Sequence, residues 1–267
     1  MAICRLFLAL FGFALTAQAE TLTLSVGGKD TSFTLQSLQK QLPVEKIAID
    51  DPVYKKAKSY DGFDLSKVLA LAGLKAGQGG DELVFTALDG YAPTAPYAAL
   101  EKHKAYVVFQ ETGGKPGQFE KVAQGKAMVS PAPWYVVWAE GKALAHEVPW
   151  PYQLARIELV DFQKKYPKLY PQGVKADTAV GKGFAVFKSQ CLKCHSINLE
   201  GGDIGPELNA PKNVTEYWNR DTLKAFIRDA TSFRYKSKMP PFPMLSEADI
   251  DNLLAYLEHM KRSKVKL

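Results

Sequence analysis

The sequence predicts a two-domain protein, with a mixed α/β N-terminal domain followed by an all-α C-terminal domain. Three observations carry this. Up to about residue 160, short apolar or alternating runs are separated by Gly- and Pro-containing turns, with only two helical stripes among them. The segment Tyr166-Pro167-Lys168-Leu169-Tyr170-Pro171-Gln172-Gly173 then interrupts the pattern with two prolines. Beyond it the apolar spacing is helical, and Cys191-Leu192-Lys193-Cys194-His195 follows the first of those helices. The expected boundaries are 1–19 for a signal peptide, 20–165 for the mixed α/β domain, 166–175 for a linker and 176–267 for the helical domain.

The chain opens on a secretory signal. Arg5 supplies the positive start, residues 6–15 the apolar run, and Ala17-Gln18-Ala19 a small-x-small cleavage site, so the mature chain is expected to begin at Glu20. The apolar run is too short to span a bilayer as a helix, an uncleaved anchor being the alternative. No later run has the length of a spanning helix, so the exported protein is expected to be soluble, without stable membrane insertion, and periplasmic in a Gram-negative cell.

Residues 21–26 alternate polar and apolar and predict an edge-type strand, with a turn at Gly27-Gly28-Lys29-Asp30. Leu35, Leu38 and Leu42 share one face of a short helix stopped by Pro43. A strand is expected at 44–49, and Asp61-Gly62-Phe63 as a turn. Asp64 then caps a helix over 65–74 with Leu65, Val68, Leu69 and Ala72 buried. Gly77-Gln78-Gly79-Gly80 breaks the chain. Strands are predicted at 82–87, 105–110, 134–138 and 154–160, with Asp89-Gly90-Tyr91 as a tight turn. In the C-terminal half Thr178 caps a helix reaching Gln190, a second helix covers 221–230, and Ser246 caps the last. That last helix turns Ile250, Leu253, Leu254 and Leu257 inward, and Glu247 and Asp249 suit its positive end.

Cys-x-x-Cys-His is the attachment signature of a c-type haem. Two thiols add to the two haem vinyl groups as thioethers, and the histidine after the second cysteine lies under the porphyrin, where one ring nitrogen binds iron. A Cys-x-x-Cys pair also serves as a redox dithiol or as half of a zinc site. No second Cys pair follows to complete a zinc site, and no βαβ pattern surrounds Cys191. Signal cleavage removes Cys4 and leaves Cys191 and Cys194 as the only cysteines, so no disulfide competes for them. One covalent haem c is the expected cofactor, with His195 as an axial ligand.

From 179 to 261 the sequence resembles a small class I cytochrome c. The carrying stretches, besides the cysteine motif, are Gly183-Phe184-Ala185-Val186-Phe187, Gly205-Pro206-Glu207-Leu208, Met239-Pro240-Pro241-Phe242 and Leu254-Ala255-Tyr256-Leu257. The resemblance implies that the first and last helices cross near a right angle, with the glycine at the crossing and the aromatics packed beside it. It implies that the Pro206 carbonyl accepts a hydrogen bond from the His195 ring, fixing the ligand, and that Leu208 packs on the porphyrin. Met239 is the implied sixth ligand, a thioether that favours ferrous iron. Met244 is the runner-up; His259 and Met260 lie on the last helix and suit the role less. Trp218 and Arg234 are either propionate contacts or an interface tryptophan and an exposed arginine.

Residues 20–162 resemble the sulfite-oxidase-type molybdopterin-binding fold. Tyr60-Asp61-Gly62-Phe63-Asp64-Leu65, Val84-Phe85-Thr86-Ala87-Leu88-Asp89-Gly90-Tyr91 and Ile157-Glu158-Leu159-Val160 carry the likeness. That family binds molybdenum through a cysteine thiolate, whereas residues 20–172 hold no cysteine and only His103 and His146 as histidines. The expectation is a non-catalytic relative used for docking or small-ligand binding. Pro131-Ala132-Pro133-Trp134-Tyr135, Trp138 and Trp150 are either its docking surface or ordinary aromatic core. The two halves are expected to fold separately.

Residues 20–172 carry 18 basic and 17 acidic side chains, a net of +1, and residues 173–267 carry 15 and 11, a net of +4. A mildly basic carrier suits redox partner proteins with acidic docking surfaces. Scattered lysines without a recognised motif argue against nucleic acid. The expected function is an exported monohaem c-type cytochrome, a periplasmic electron carrier between redox partners rather than a catalyst. The alternative is a haem-containing subunit or fusion of a periplasmic oxidoreductase whose N-terminal domain binds a small molecule or molybdopterin. A third reading is a gas sensor with an open haem site.

Overall fold

The computed structural model describes residues 21–74, 80–124 and 127–267. The expected signal peptide, with Cys4, and Gly77 to Gly79 lie outside them. In chain order the first half holds β1 Leu22–Val26, β2 Lys29–Phe33, α1 Leu35–Gln41, β3 Glu45–Asp51, β4 Lys56–Asp64, α2 Leu65–Leu71 and β5 Glu82–Ala87. There follow β6 Thr94–Pro96, α3 Ala99–Lys102, β7 Ala105–Glu111, β8 Val122–Gln124, β9 Ala127–Val129, β10 Tyr135–Trp138 and β11 Leu154–Val160. One sheet runs β2-β1-β11-β5-β6 and a second β10-β7-β4-β3. Leu24, Phe85 and Ile157 from the first sheet and Tyr60, Phe63, Val107 and Trp138 from the second join a single apolar core. The N-terminal region is therefore mixed α/β.

Two strand expectations need correcting. β1 is not an edge: it lies between β2 and β11 and pairs parallel with β11 from Thr23↔Arg156 to Val26↔Leu159. Alternation reports one buried face and is silent about neighbours supplied from residue 154 onward. Asp61-Gly62-Phe63 is not a turn but the later part of β4, where the register against β7 shifts between Asp61 and Gly62. A glycine in a strand marks a bulge or a close approach. Here a Cβ would meet the Val107 carbonyl oxygen at 2.7 Å. Asp64 caps α2 as expected, its Oδ1 accepting from the Ser66 N–H, and Thr34, not read as a cap, caps α1 by accepting the Ser37 N–H on Oγ1. Trp134, Tyr135 and Trp138 are fully buried, so this cluster is core and not a docking face.

The second half begins with α4 Phe162–Lys165 and a 3-10 turn Pro167–Leu169. It continues with α5 Ala179–Val186, extended by a π-helical turn Phe187–Cys191, then β12 Ser196–Ile197, β13 Glu200–Gly201, α6 Arg220–Arg228, α7 Ala230–Phe233 and α8 Glu247–Met260. Thr178 caps α5, and Ser246 and Asp249 form a capping box on α8. This half is not all-α as expected: its helices are joined by long loops, and it carries the β12–β13 ribbon, which Asn198 and Leu199 close with φ of 56° and 67°. A two-residue hairpin with both central residues at positive φ ordinarily announces itself through Asn-Gly or Gly-Gly, and Asn-Leu hides it.

Helices α5 and α8 cross at Gly183, where a Cβ would run into the Asn252 carbonyl. Phe184 and Phe187 flank the crossing, with ring centroids 5.7 and 5.4 Å from that of Tyr256. The expected linker is packed here too. Leu169 is fully buried, its carbonyl accepts the Tyr256 hydroxyl at 2.8 Å, and Tyr170 stacks 4.8 Å from Phe184. Among the described residues no helix is long and apolar enough to cross a membrane.

Candidate haem site

The π-helical turn ends α5 on Cys191, and the chain then folds back so that the amides of Cys194 and His195 both donate to the Cys191 carbonyl, at 3.0 and 2.9 Å. The thiols of Cys191 and Cys194 are not bonded to each other. Burial pushes the Cys191 thiol up to about 12 and raises that of Cys194, against the pull of Lys193. A redox dithiol works through the thiolate, which this burial disfavours. Among the described residues no group of three or more His, Cys, Asp or Glu side chains is placed to hold a metal ion, so the pair lacks the rest of a zinc site.

His195 is oriented by the loop after β13. Its Nδ1 lies 2.8 Å from the Pro206 carbonyl, so this nitrogen carries the proton and donates it. That bond leaves Nε2 as the nitrogen with a lone pair to offer a metal. Gly205 presses on the ring: a Cβ there would meet Nδ1 at 2.6 Å. Burial holds the imidazole below its ordinary pKa, against the Pro206 bond, and the neutral ring is the ligating form. Two protonated thiols beside an imidazole with only Nε2 available fit a c-type haem. Cys191 and Cys194 would hold its vinyl carbons and His195 its iron.

The residue that holds this loop together is Glu207, which the motif reading passed over. Its carboxylate accepts the backbone N–H groups of Asn198, Leu199, Asn209 and Ala210 at 2.7–3.0 Å. Burial works against the charge, yet those bonds keep the carboxyl below its ordinary range. Behind it runs a buried amide ladder. Asn213 Nδ2 donates to Asn209 Oδ1 and to the Leu257 carbonyl, and Asn209 Nδ2 donates to Asn198 Oδ1 and to the Met260 carbonyl. The ladder ties the loop to α8. Buried asparagines carry no apolar period, so only their mutual spacing in three dimensions reveals them.

Leu208 and Met239 are partly buried against the core of this half. The Met239 amide donates to Ser237 Oγ at 3.2 Å. Met244 is 54 % exposed, whereas Met260 is buried in α8. Trp218 belongs to an aromatic cluster with Phe226 and Phe233, at 4.9 and 6.4 Å, and Arg234 is exposed.

Residues 178–257 match the family model of cytochrome c oxidase, cbb3-type, subunit III. The chain is 32% identical over 91 residues to cytochrome c oxidase subunit 2 of Alkalihalophilus pseudofirmus, covering 32% of this chain and 27% of that one. It is 28% identical over 97 residues to a cytochrome c of Gibberella zeae, covering 30% of this chain and 92% of that protein. Among solved structures, the sulfane dehydrogenase SoxCD from Paracoccus pantotrophus matches with a TM-score of 0.37 at 18% identity, over 54% of this chain and 39% of that one. The chain thus spans about a quarter of the oxidase subunit and well under half of the SoxCD chain. Its C-terminal region is a cytochrome c-type electron-transfer domain, a family that uses haem c.

Proposed function

We propose that this chain is an exported monohaem c-type cytochrome that carries electrons between redox partners in the periplasm. The observation that supports it is the donor arrangement: two thiols not joined to each other, and an imidazole whose Nδ1 is already committed to the Pro206 carbonyl. In this reading Cys191 and Cys194 would hold the haem through thioethers to its two vinyl groups. His195 and Met239 would ligate its iron, Pro206 would fix the imidazole and Leu208 would pack against the macrocycle. Bound haem would supply a one-electron couple, and with both His195 and Met239 ligating, no substrate would reach the metal. Arg234, Lys236 and Lys238 are exposed around Met239, and residues 230–246 contain no acid. That favours partners with acidic surfaces, since charge at the rim of an interface raises the association rate.

One observation favours the alternative of an oxidoreductase subunit or fusion. The N-terminal region holds a cavity of about 320 Å³ lined by Leu35, Phe109, Pro133 and Trp134 among others, roomy enough for a small molecule. Metal analysis of the exported protein separates the two readings. One iron per chain with no stoichiometric molybdenum or copper supports the carrier, and stoichiometric molybdenum contradicts it. Within the carrier reading, Met239→Ala is expected to lose the weak red-edge band of an iron–thioether bond and to lower the potential. The same losses in Met244→Ala, with Met239→Ala unchanged, would move the ligand to Met244.

A further inference from the structure

The two halves meet at the cysteine loop. The connection from β5 to β6 reaches it, and the Ala92 N–H donates to the carbonyl of Lys193 at 3.2 Å, on the residue just before Cys194. Tyr91, the residue before Ala92, is partly buried, and its carbonyl accepts the Ala87 N–H at 2.8 Å. Gly90 has φ +86°, and a Cβ on it would meet Asp203 Oδ1 at 2.5 Å. Asp203 sits in the 201–205 loop, whose Gly202 packs on Lys193 and whose Gly205 packs on the His195 ring. Asp89 Oδ1 accepts the Tyr91 N–H at 3.0 Å, and its Oδ2 accepts the Gln124 side-chain amide at 3.3 Å, so the turn is fixed on both sides.

The other end of β5 is anchored as well. Glu82, its first residue, pairs with Lys188 of the π-helical turn at 2.8 Å, and the Glu82 side chain is only 4% exposed. The Lys188 ammonium lies 4.1 Å over the Phe162 ring, and the Phe162 N–H donates to Asp81 Oδ1 at 2.8 Å. A single strand is therefore held against the haem-domain loop at both ends. A turn joined by one hydrogen bond alone would be free to leave; this one is not.

We propose that the 88–92 turn is a built-in wall of the haem pocket on its Cys194 side, with Tyr91 and Asp89 as positioning residues for the redox potential. This rests on the reading of Cys191, Cys194 and His195 as a haem site. The potential of a bound haem depends on its axial ligands, on hydrogen bonding and on how far water and charge reach the macrocycle. Tyr91 keeps water out, which disfavours the more highly charged ferric state and raises the potential. The Asp89 carboxylate favours ferric iron and lowers it. The two residues pull in opposite directions. The Cys194 side is consequently closed to an outside partner, and the exposed approach is the 233–244 loop with Phe233, Tyr235 and Met244.

The test uses the full-length holoprotein and a spectroelectrochemical titration of three variants. Tyr91→Ala should lower the midpoint potential. Gly90→Ala, which forces the turn off Asp203, should lower it as well. Asp89→Asn keeps the oxygen that accepts the Tyr91 amide but removes the charge, and should raise it. Each change should shift the ferric–ferrous equilibrium by roughly threefold to tenfold, the size expected of one nearby charge or of its solvation. Covalent haem per chain should be unaltered. Potentials equal to wild type in all three, with haem bound, overturn the proposal. So do shifts of one sign in Tyr91→Ala and Asp89→Asn, which would indicate loosening and no wall. Absence of covalent haem from the wild-type protein would overturn the haem reading itself.

Discussion

Glu207 shows how a single carboxylate can hold a loop together through backbone amides alone. Four backbone N–H groups converge on its carboxylate, two from the β12–β13 turn and two from residues 209 and 210. Its folded-state pKa lies below the ordinary 4.5 because those bonds outweigh burial. A depressed carboxyl contributes stability above its unfolded value and loses it as pH falls through the folded value. The protein should therefore hold its melting temperature above about pH 5 and lose stability progressively below about pH 4.5 as Glu207 takes up a proton. Glu207→Gln should cost about 1–3 kcal/mol at neutral pH and flatten that acid limb, read by thermal unfolding across pH. An acid limb identical in the two proteins would contradict it. The motif made Pro206 and Leu208 legible because each has a role in a known pattern. Glu207 was not, since its partners are backbone amides that only the fold brings together.

At the scale of elements, caps and apolar stripes were the readable signals. Asp64, Thr178 and Ser246 each cap the helix expected to follow, because a side-chain oxygen before an apolar period is a local device. Strands fared worse: β4 was hidden by Asp61-Gly62, a bulge that reads as a turn, and β12–β13 by Asn-Leu at positive φ. The α5–α8 crossing was legible through the resemblance, and its geometry makes a prediction. A methyl group on Gly183 has nowhere to go but into the Asn252 carbonyl, so Gly183→Ala must push the helices apart. Overpacking of this kind costs about 1–3 kcal/mol, and the variant should melt lower and retain less haem. Unchanged melting and haem content would show that the helices can slide at no cost.

Across the whole molecule the two halves are less independent than the proline-rich boundary suggests. Phe162, Leu169 and Tyr170 pack into the haem domain, so a fragment beginning at Gly173 leaves a hole beside Tyr256. A fragment beginning at Asp161 should melt higher than one beginning at Gly173, and equal melting would return 161–172 to the status of a spacer. Lys188→Ala strands Glu82 in the interface without its cation. Loss of one partner from a buried pair costs about 3–5 kcal/mol, and with Lys188 29% exposed about 2 kcal/mol is expected, seen as faster proteolysis between the halves. These contacts were invisible in the sequence because they join residue 82 to 188 and residue 92 to 193, with no local pattern at either end. The central claim, that Cys191 and Cys194 carry a haem, is tested most directly by the iron-porphyrin content of the exported chain after full denaturation. One haem remaining on each wild-type polypeptide, and none on the Cys191→Ala, Cys194→Ala double variant, is the predicted result. Haem that leaves the wild-type chain on denaturation, or stays on the double variant, would contradict it.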